Sequence, residues 1–136
     1  MTENPNKAEF AIVQILNSNA TLAAEIDGRI TPLVRDENGQ LPAIVYAGSD
    51  PTRERYLDGS FQDIATVDMT FELWATSYIQ AKRLVSTAIG VLNNFKGNIA
   101  GISVLTIDCE AGPEGGMWDG IEMVVEFNAT ITAKGL

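Results

Sequence analysis

Residues 64–76 read IATVDMTFELWAT, and this run decides the fold. Ala65, Val67, Met69, Phe71, Leu73 and Ala75 alternate with Thr66, Asp68, Thr70, Glu72 and Thr76, so a strand sets the first group against a core and the second toward water. Trp74 is the exception on the polar side. Directly afterwards the period switches from that of a strand to that of a helix. Ser77 and Gln80 form a capping box, and Tyr78, Ala81, Val85, Ala88, Leu92 and Phe95 recur along one stripe, which Leu84 and Ile89 widen. Lys96 and Gly97 offer a favourable charge and a left-handed exit at the C-terminal end.

Downstream, Ile102 to Glu110 and Ile121 to Ala133 read as strands joined by the turn Gly112-Pro113-Glu114-Gly115-Gly116, and they are expected to pair as an antiparallel hairpin. In the second, Ile121, Met123, Val125, Phe127, Ala129, Ile131 and Ala133 share one face, opposite Glu122, Glu126, Asn128, Thr130 and Thr132. Alternation this regular implies a sheet covered on one side only. Upstream, Leu41 to Ala47 follows the polar turn Asp36-Glu37-Asn38-Gly39-Gln40 and has strand character, while Pro32 confines a weaker strand, Arg29 to Val34, to an edge or a bulge. A first helix, capped by Asn4 with Pro5 or by Asn6 with Glu9, carries Phe10, Ile12, Val13, Ile15 and Leu16 on an apolar face. Asn17-Ser18-Asn19 interrupts it, and a shorter helical turn from Thr21 to Ile26 ends at Asp27-Gly28. The expected fold class is α+β: an antiparallel or mixed sheet of roughly four to five strands, helices packed on one face, and a long protruding hairpin loop.

The 136 residues suit one domain, residues 1–136, and 46% hydrophobic with 20% charged residues is the balance of a chain that folds. A net charge of -9, from 18 acidic against 9 basic residues, argues against a surface that grips phosphate backbones. It suits a surface that nucleic acid passes without adhering. MTENPNKAEF lacks the pattern of a secretory signal, which places the product in the cytoplasm or in an assembly made there. No apolar run approaches the ~20 residues of a membrane span, so no membrane partner is expected. The chain has no histidine and one cysteine, Cys109, in phase with Leu105 and Ile107 on an apolar face. Both facts weigh against hydrolase and metalloenzyme readings, and no cofactor, metal or catalytic residue is expected.

Between the strands, Gly48 to Phe61 reads GSDPTRERYLDGSF, a long loop with Gly59 as a turn between two arms. A loop of this length is a candidate binding element. Its bland alternative is a solvated hairpin with paired charges. Arg53, Arg55, Tyr56, Asp58 and Phe61 are its interface candidates, the arginines as partners for acids and the tyrosine as an anchor. Trp74 on the wet face and Trp118 in a glycine-rich loop join them, because aromatic residues in such positions are enriched at interfaces. Asp68 and Glu72 stand about 13 Å apart along one strand face, too far for a paired-carboxylate catalyst, and read as solvated acids. Asp108 with Glu110, and Glu122 with Glu126, read the same way.

Leu41-Pro42-Ala43-Ile44-Val45-Tyr46, then Tyr56-Leu57-Asp58-Gly59, then Val67 to Ala75 running into Ser77-Tyr78 and Ala81, and finally Leu92 to Gly97, together resemble the tail terminator, or tail completion, proteins of long-tailed bacteriophages and gene transfer particles. The N-terminal helix leading into Gly28-Arg29-Ile30 agrees with that pattern. The resemblance implies a virion protein that forms a ring with copies of itself, commonly a hexamer, at the head-proximal end of the tail tube. It implies three further contacts: the major tail tube protein, whose polymerisation the ring stops; a head-completion or connector protein, which docks on it; and genomic DNA, which transits the lumen without specific binding. The alternatives are a neck or head-completion protein that docks on the portal side and, from another class, a small ligand-binding domain using the groove between sheet and helix.

Overall fold

The computed structural model describes residues 7–32, 40–49, 52–55, 57–58, 61–116 and 123–134. In chain order the elements are α1 (Lys7–Ser18), α2 (Ala20–Ile26), β1 (Ile30–Pro32), β2 (Ala43–Gly48), β3 (Thr52–Arg55), β4 (Phe61–Ala75), α3 (Tyr78–Asn93), β5 (Gly97–Ile99), β6 (Ile102–Gly116) and β7 (Met123–Lys134). The sheet has seven strands in the order β1-β2-β4-β7-β6-β5, with β3 pairing β4 off that path. Among the described residues the β1–β2 pair is the only parallel one; the other pairs are antiparallel.

The fold class is the α+β arrangement the sequence implies, with more strands than expected because β3 and β5 are short and carry no apolar alternation. Ala65, Val67, Met69, Phe71, Leu73 and Ala75 of β4 are buried, as are Val125, Phe127, Ala129, Ile131 and Ala133 of β7. The two strands are the middle of the sheet and run in unbroken register from Ile64↔Lys134 to Ala75↔Met123. At their centre Phe71 and Phe127 are directly opposite, fully buried, and stacked with ring centroids 4.6 Å apart at 7°. Helix α3 covers this face with Ala81, Leu84, Val85, Ala88 and Leu92. Ser77 caps it as expected, its Oγ accepting from the Gln80 N–H at 3.1 Å.

Helix α1 buries Ala8, Ala11, Ile12, Ile15 and Leu16, while Phe10 is 49% exposed, so the apolar face is narrower than its sequence suggests. Both cap residues offered by the sequence for this helix, Asn4 and Asn6, lie outside the described residues. Asn19 caps α2, its Oδ1 accepting from the Leu22 N–H at 3.0 Å, and Asp27 leaves the helix in the left-handed region at φ 52. Arg83 of α3 ties α2 down through a two-pronged bond to Glu25 at 2.7 and 2.8 Å. Arg29 then joins α2 to the start of β2 by donating to the Glu25 and Pro42 carbonyls. Pro32 ends β1 at the sheet edge, in keeping with its missing N–H.

Two local expectations are corrected. Helix α3 stops at Asn93 rather than at Lys96-Gly97, and Gly97 opens β5 instead. The chain turns from β5 into β6 at Ala100 and Gly101, both at positive φ (51 and 81), the conformation of a tight two-residue hairpin loop. The stretch Gly112 to Gly116 is not the turn: it continues β6, pairing Glu114, Gly115 and Gly116 with Val125, Val124 and Met123, and the connection falls in residues 117–122, outside the described residues. At Gly112 a Cβ would stand 3.0 Å from the Glu126 carbonyl oxygen, so a larger residue needs that backbone to give by a few tenths of an ångström.

Candidate assembly surface

The sheet has one face under helices and one without them. Register assigns the residues of the open face: Thr66, Asp68, Thr70, Glu72 and Trp74 from β4; Val124, Glu126, Asn128, Thr130 and Thr132 from β7; Thr106, Asp108 and Glu110 from β6; Ala43, Val45 and Ala47 from β2. Five carboxylates, Asp68, Glu72, Asp108, Glu110 and Glu126, therefore share it, with Lys134 at the far rung. Thr130 Oγ1 donates to Asp68 Oδ1 at 2.9 Å, and Trp74 Nε1 to Glu72 Oε1 at 3.4 Å. Glu72 and Glu126 are direct cross-strand neighbours. They line a pocket of about 180 Å³ with Val45, Tyr46, Ala47 and Thr70.

The sequence-predicted loop is a hairpin arm. After β2 the Ser49 N–H donates to the Asp68 carbonyl, the Asp68 N–H donates to Ser49 Oγ, and β3 rejoins β4 further along the same edge. Thr52 pairs with Thr66, Arg53 with Ala65 and, after a register shift, Arg55 with Phe61. Among the described residues β7 reaches Ile64, and the residues of β4 before it pair with β3 alone, which sets the arm at the end of the sheet. The bland alternative to a loop, a hairpin, is thus its backbone form.

Of the interface candidates, Arg53 and Arg55 lie in β3, Phe61 opens β4 opposite Arg55, and Asp58 is exposed in the turn between the strands. Tyr56 and Trp118 lie outside the described residues. Trp74 is half-buried at the opposite end of β4, about 40 Å from Phe61 by strand rise, so it does not belong with the arm. Leu57 was not among the candidates, yet it is fully exposed at the arm's turn. Its signal was an apolar residue bracketed by Tyr56, Asp58 and Gly59, where burial has no strand pattern to rely on.

Cys109 is half-buried on the core side, and burial first, then neighbouring Asp108, pushes its thiol up to about 11. It is in phase with Ile107 but not with Leu105. A bulge between Val104 and Thr106 reverses the alternation, leaving Leu105 38% exposed. Among the described residues no group of histidine, cysteine and acids suits a metal ion, and no helix is long and apolar enough to cross a membrane.

The fold is similar to that of a chain in the solved structure "Virion of native gene transfer agent (GTA) particle", with a TM-score of 0.74 at 12% sequence identity, covering 93% of this chain and 94% of that one. At that identity the likeness establishes a shared fold. No protein-family model matches the chain, and no curated protein matches it.

Proposed function

We propose that the chain is a structural virion protein, not an enzyme, that forms a ring, hexameric by the resemblance of its middle segment to tail terminators, at the head-proximal end of a tail tube. There it ends tube growth, offers the head its docking surface and lets DNA through. The observation that carries this reading is a fold shared nearly end to end with a chain of a gene transfer agent virion. Two features of the chain support it. A subunit in a cyclic ring needs two different surfaces that meet head to tail, and a projecting arm with a free sheet edge supplies such a pair. A lumen wall needs to repel a polyanion, and the open sheet face carries five carboxylates, Asp68, Glu72, Asp108, Glu110 and Glu126.

The ligand-binding alternative has a pocket of about 180 Å³, smaller than the ~300 Å³ at which small-molecule sites begin, and two of its lining residues are acids that face each other. A thiol held protonated also makes a poor nucleophile. Native mass measurement with negative-stain imaging tests the ring: a closed oligomer with a central hole is expected, and a persistent monomer at high concentration overturns it. Incubation with purified tails and with filled heads separates the terminator from the neck reading, since binding to heads alone supports the latter.

A further inference from the structure

Resting on the ring reading, we infer that the tip of the arm on one copy, Leu57 with Asp58, seats on the start of α3 in the next, against Ile79 and Lys82. Of the large apolar side chains exposed among the described residues, two stand more than half in solvent: Leu57, fully exposed, and Ile79, 78% exposed. They flank opposite ends of one strand. Leu57 precedes Phe61, where β4 begins, and Ile79 follows Ala75, where it stops, with about 45 Å of strand rise between those ends. Neither side chain can therefore cover the other within a subunit. An isologous contact would set each surface on itself, whereas a ring needs two different surfaces on one subunit, and this pair supplies them.

Charge selects the same match. Beside Leu57 stands the exposed carboxylate Asp58, and one turn along α3 from Ile79 stands the exposed Lys82, whose ammonium lies 6.0 Å from the Tyr78 ring centroid. Ile79 and Lys82 are three residues apart and share a face of the helix. The Glu25 carboxylate that meets this stretch of α3 is held by Arg83 at 2.7 Å, which leaves the stripe positive on a chain of net charge -9. Further along it Ser86 and Gly90 are exposed and short, and a Cβ at Gly90 would meet nothing within 4 Å. Glycine weakens a helix interior, and no packing inside the subunit calls for it here; its low profile clears the approach of the arm. Other receivers fit less well. Ile64 is at the arm's own base, Phe10 and Leu105 are less than half exposed, and the β6 edge is partly taken, since Asn93 Oδ1 accepts from the Cys109 N–H there at 2.9 Å.

Cysteine pairing in the full-length protein, on a Cys109→Ala background, tests this. The Leu57→Cys and Ile79→Cys chains, mixed and mildly oxidised, are expected to give covalent dimers on a denaturing gel, while either chain alone gives none. Charge reversal supplies a second readout that leaves the apolar pair intact: Asp58→Lys and Lys82→Glu should each raise the concentration needed for assembly about two- to fivefold, and both changes in one chain should restore it. If the parent closes into rings while the mixture, itself assembled, gives no covalent dimers, or while both reversals assemble as the parent does, this contact is wrong and the ring stands. Dimers from either cysteine chain alone would mean that like surfaces meet, and would overturn it too. If the parent never assembles, both readings fall.

Discussion

Replacing Glu126 by lysine should stabilise the subunit while making its open face adhere to DNA. The Asp68 carbonyl bonds to Ser49, on the side of β4 away from β7, so Asp68 and every second residue along β4 form non-hydrogen-bonded pairs with β7. Glu72 and Glu126 are such a pair, with Cα atoms about 4.5 Å apart and side chains abreast. Like charges in that position destabilise by roughly 0.2–1 kcal/mol and opposite charges stabilise by as much, so Glu126→Lys should gain about 1 kcal/mol. For 136 residues that is about 3–4 °C in melting temperature. Thermal unfolding at fixed protomer concentration, at low and at high salt, measures it, and the gain should shrink with salt. Retention on duplex DNA, weak for the parent, should rise at low salt. A variant less stable than the parent, or a gain indifferent to salt, would refute the reasoning, because Glu126 would then be held by contacts that outweigh the repulsion.

Phe127→Ala removes a fully buried ring and its stack on Phe71, and should cost about 3–5 kcal/mol, read as a lower urea midpoint; a loss under about 1 kcal/mol would deny the pair its central place. Cys109, with its thiol at about 11, should alkylate on the order of 100-fold more slowly near neutral pH in the folded protein than in urea, and equal rates would contradict its burial. Leu57→Ser should leave subunit stability within about 0.5 kcal/mol while weakening assembly measured by light scattering; unchanged assembly would remove the arm's turn from the contact. The hydrogen bond from Arg83 holds the Glu25 carboxyl below its usual range, so its contribution is complete above the unfolded value and lost as pH falls through the folded one. The melting difference between parent and Glu25→Gln should therefore close on acidification, and one that widens would reverse the assignment.

The centre of this fold was readable because β4 and β7 obey one period for their whole length and the capping box before α3 uses side chains that serve little other purpose there. Strand β3 was not readable, since Thr-Arg-Glu-Arg has no apolar side and gains its conformation only from β4. Strand β6 misled in two places for one reason: a bulge adds a residue and shifts the alternation, so Leu105 left the apolar set and Gly112-Pro113 looked like a turn inside a continuing strand. The acids on the open face were legible singly. Their convergence was not, because it depends on strand order, which joins Asp68 to Asp108 through Thr130 across residues distant in the chain. The candidate surface suffered in the same way: nothing in the order of residues says that Trp74 and Phe61 sit at opposite ends of one strand.

Among the described residues, β4 before Ile64 pairs with β3 alone, and a two-stranded ribbon has marginal stability in water. The core is thus held by many strands and helices, and the arm by one strand pair. On the ring reading proposed above, any ordering of that arm by the next copy would be charged against the contact and keep each single encounter weak and reversible. On that reading misaligned partners would part and try again, and only a closed circle, in which every arm is held, would be hard to take apart.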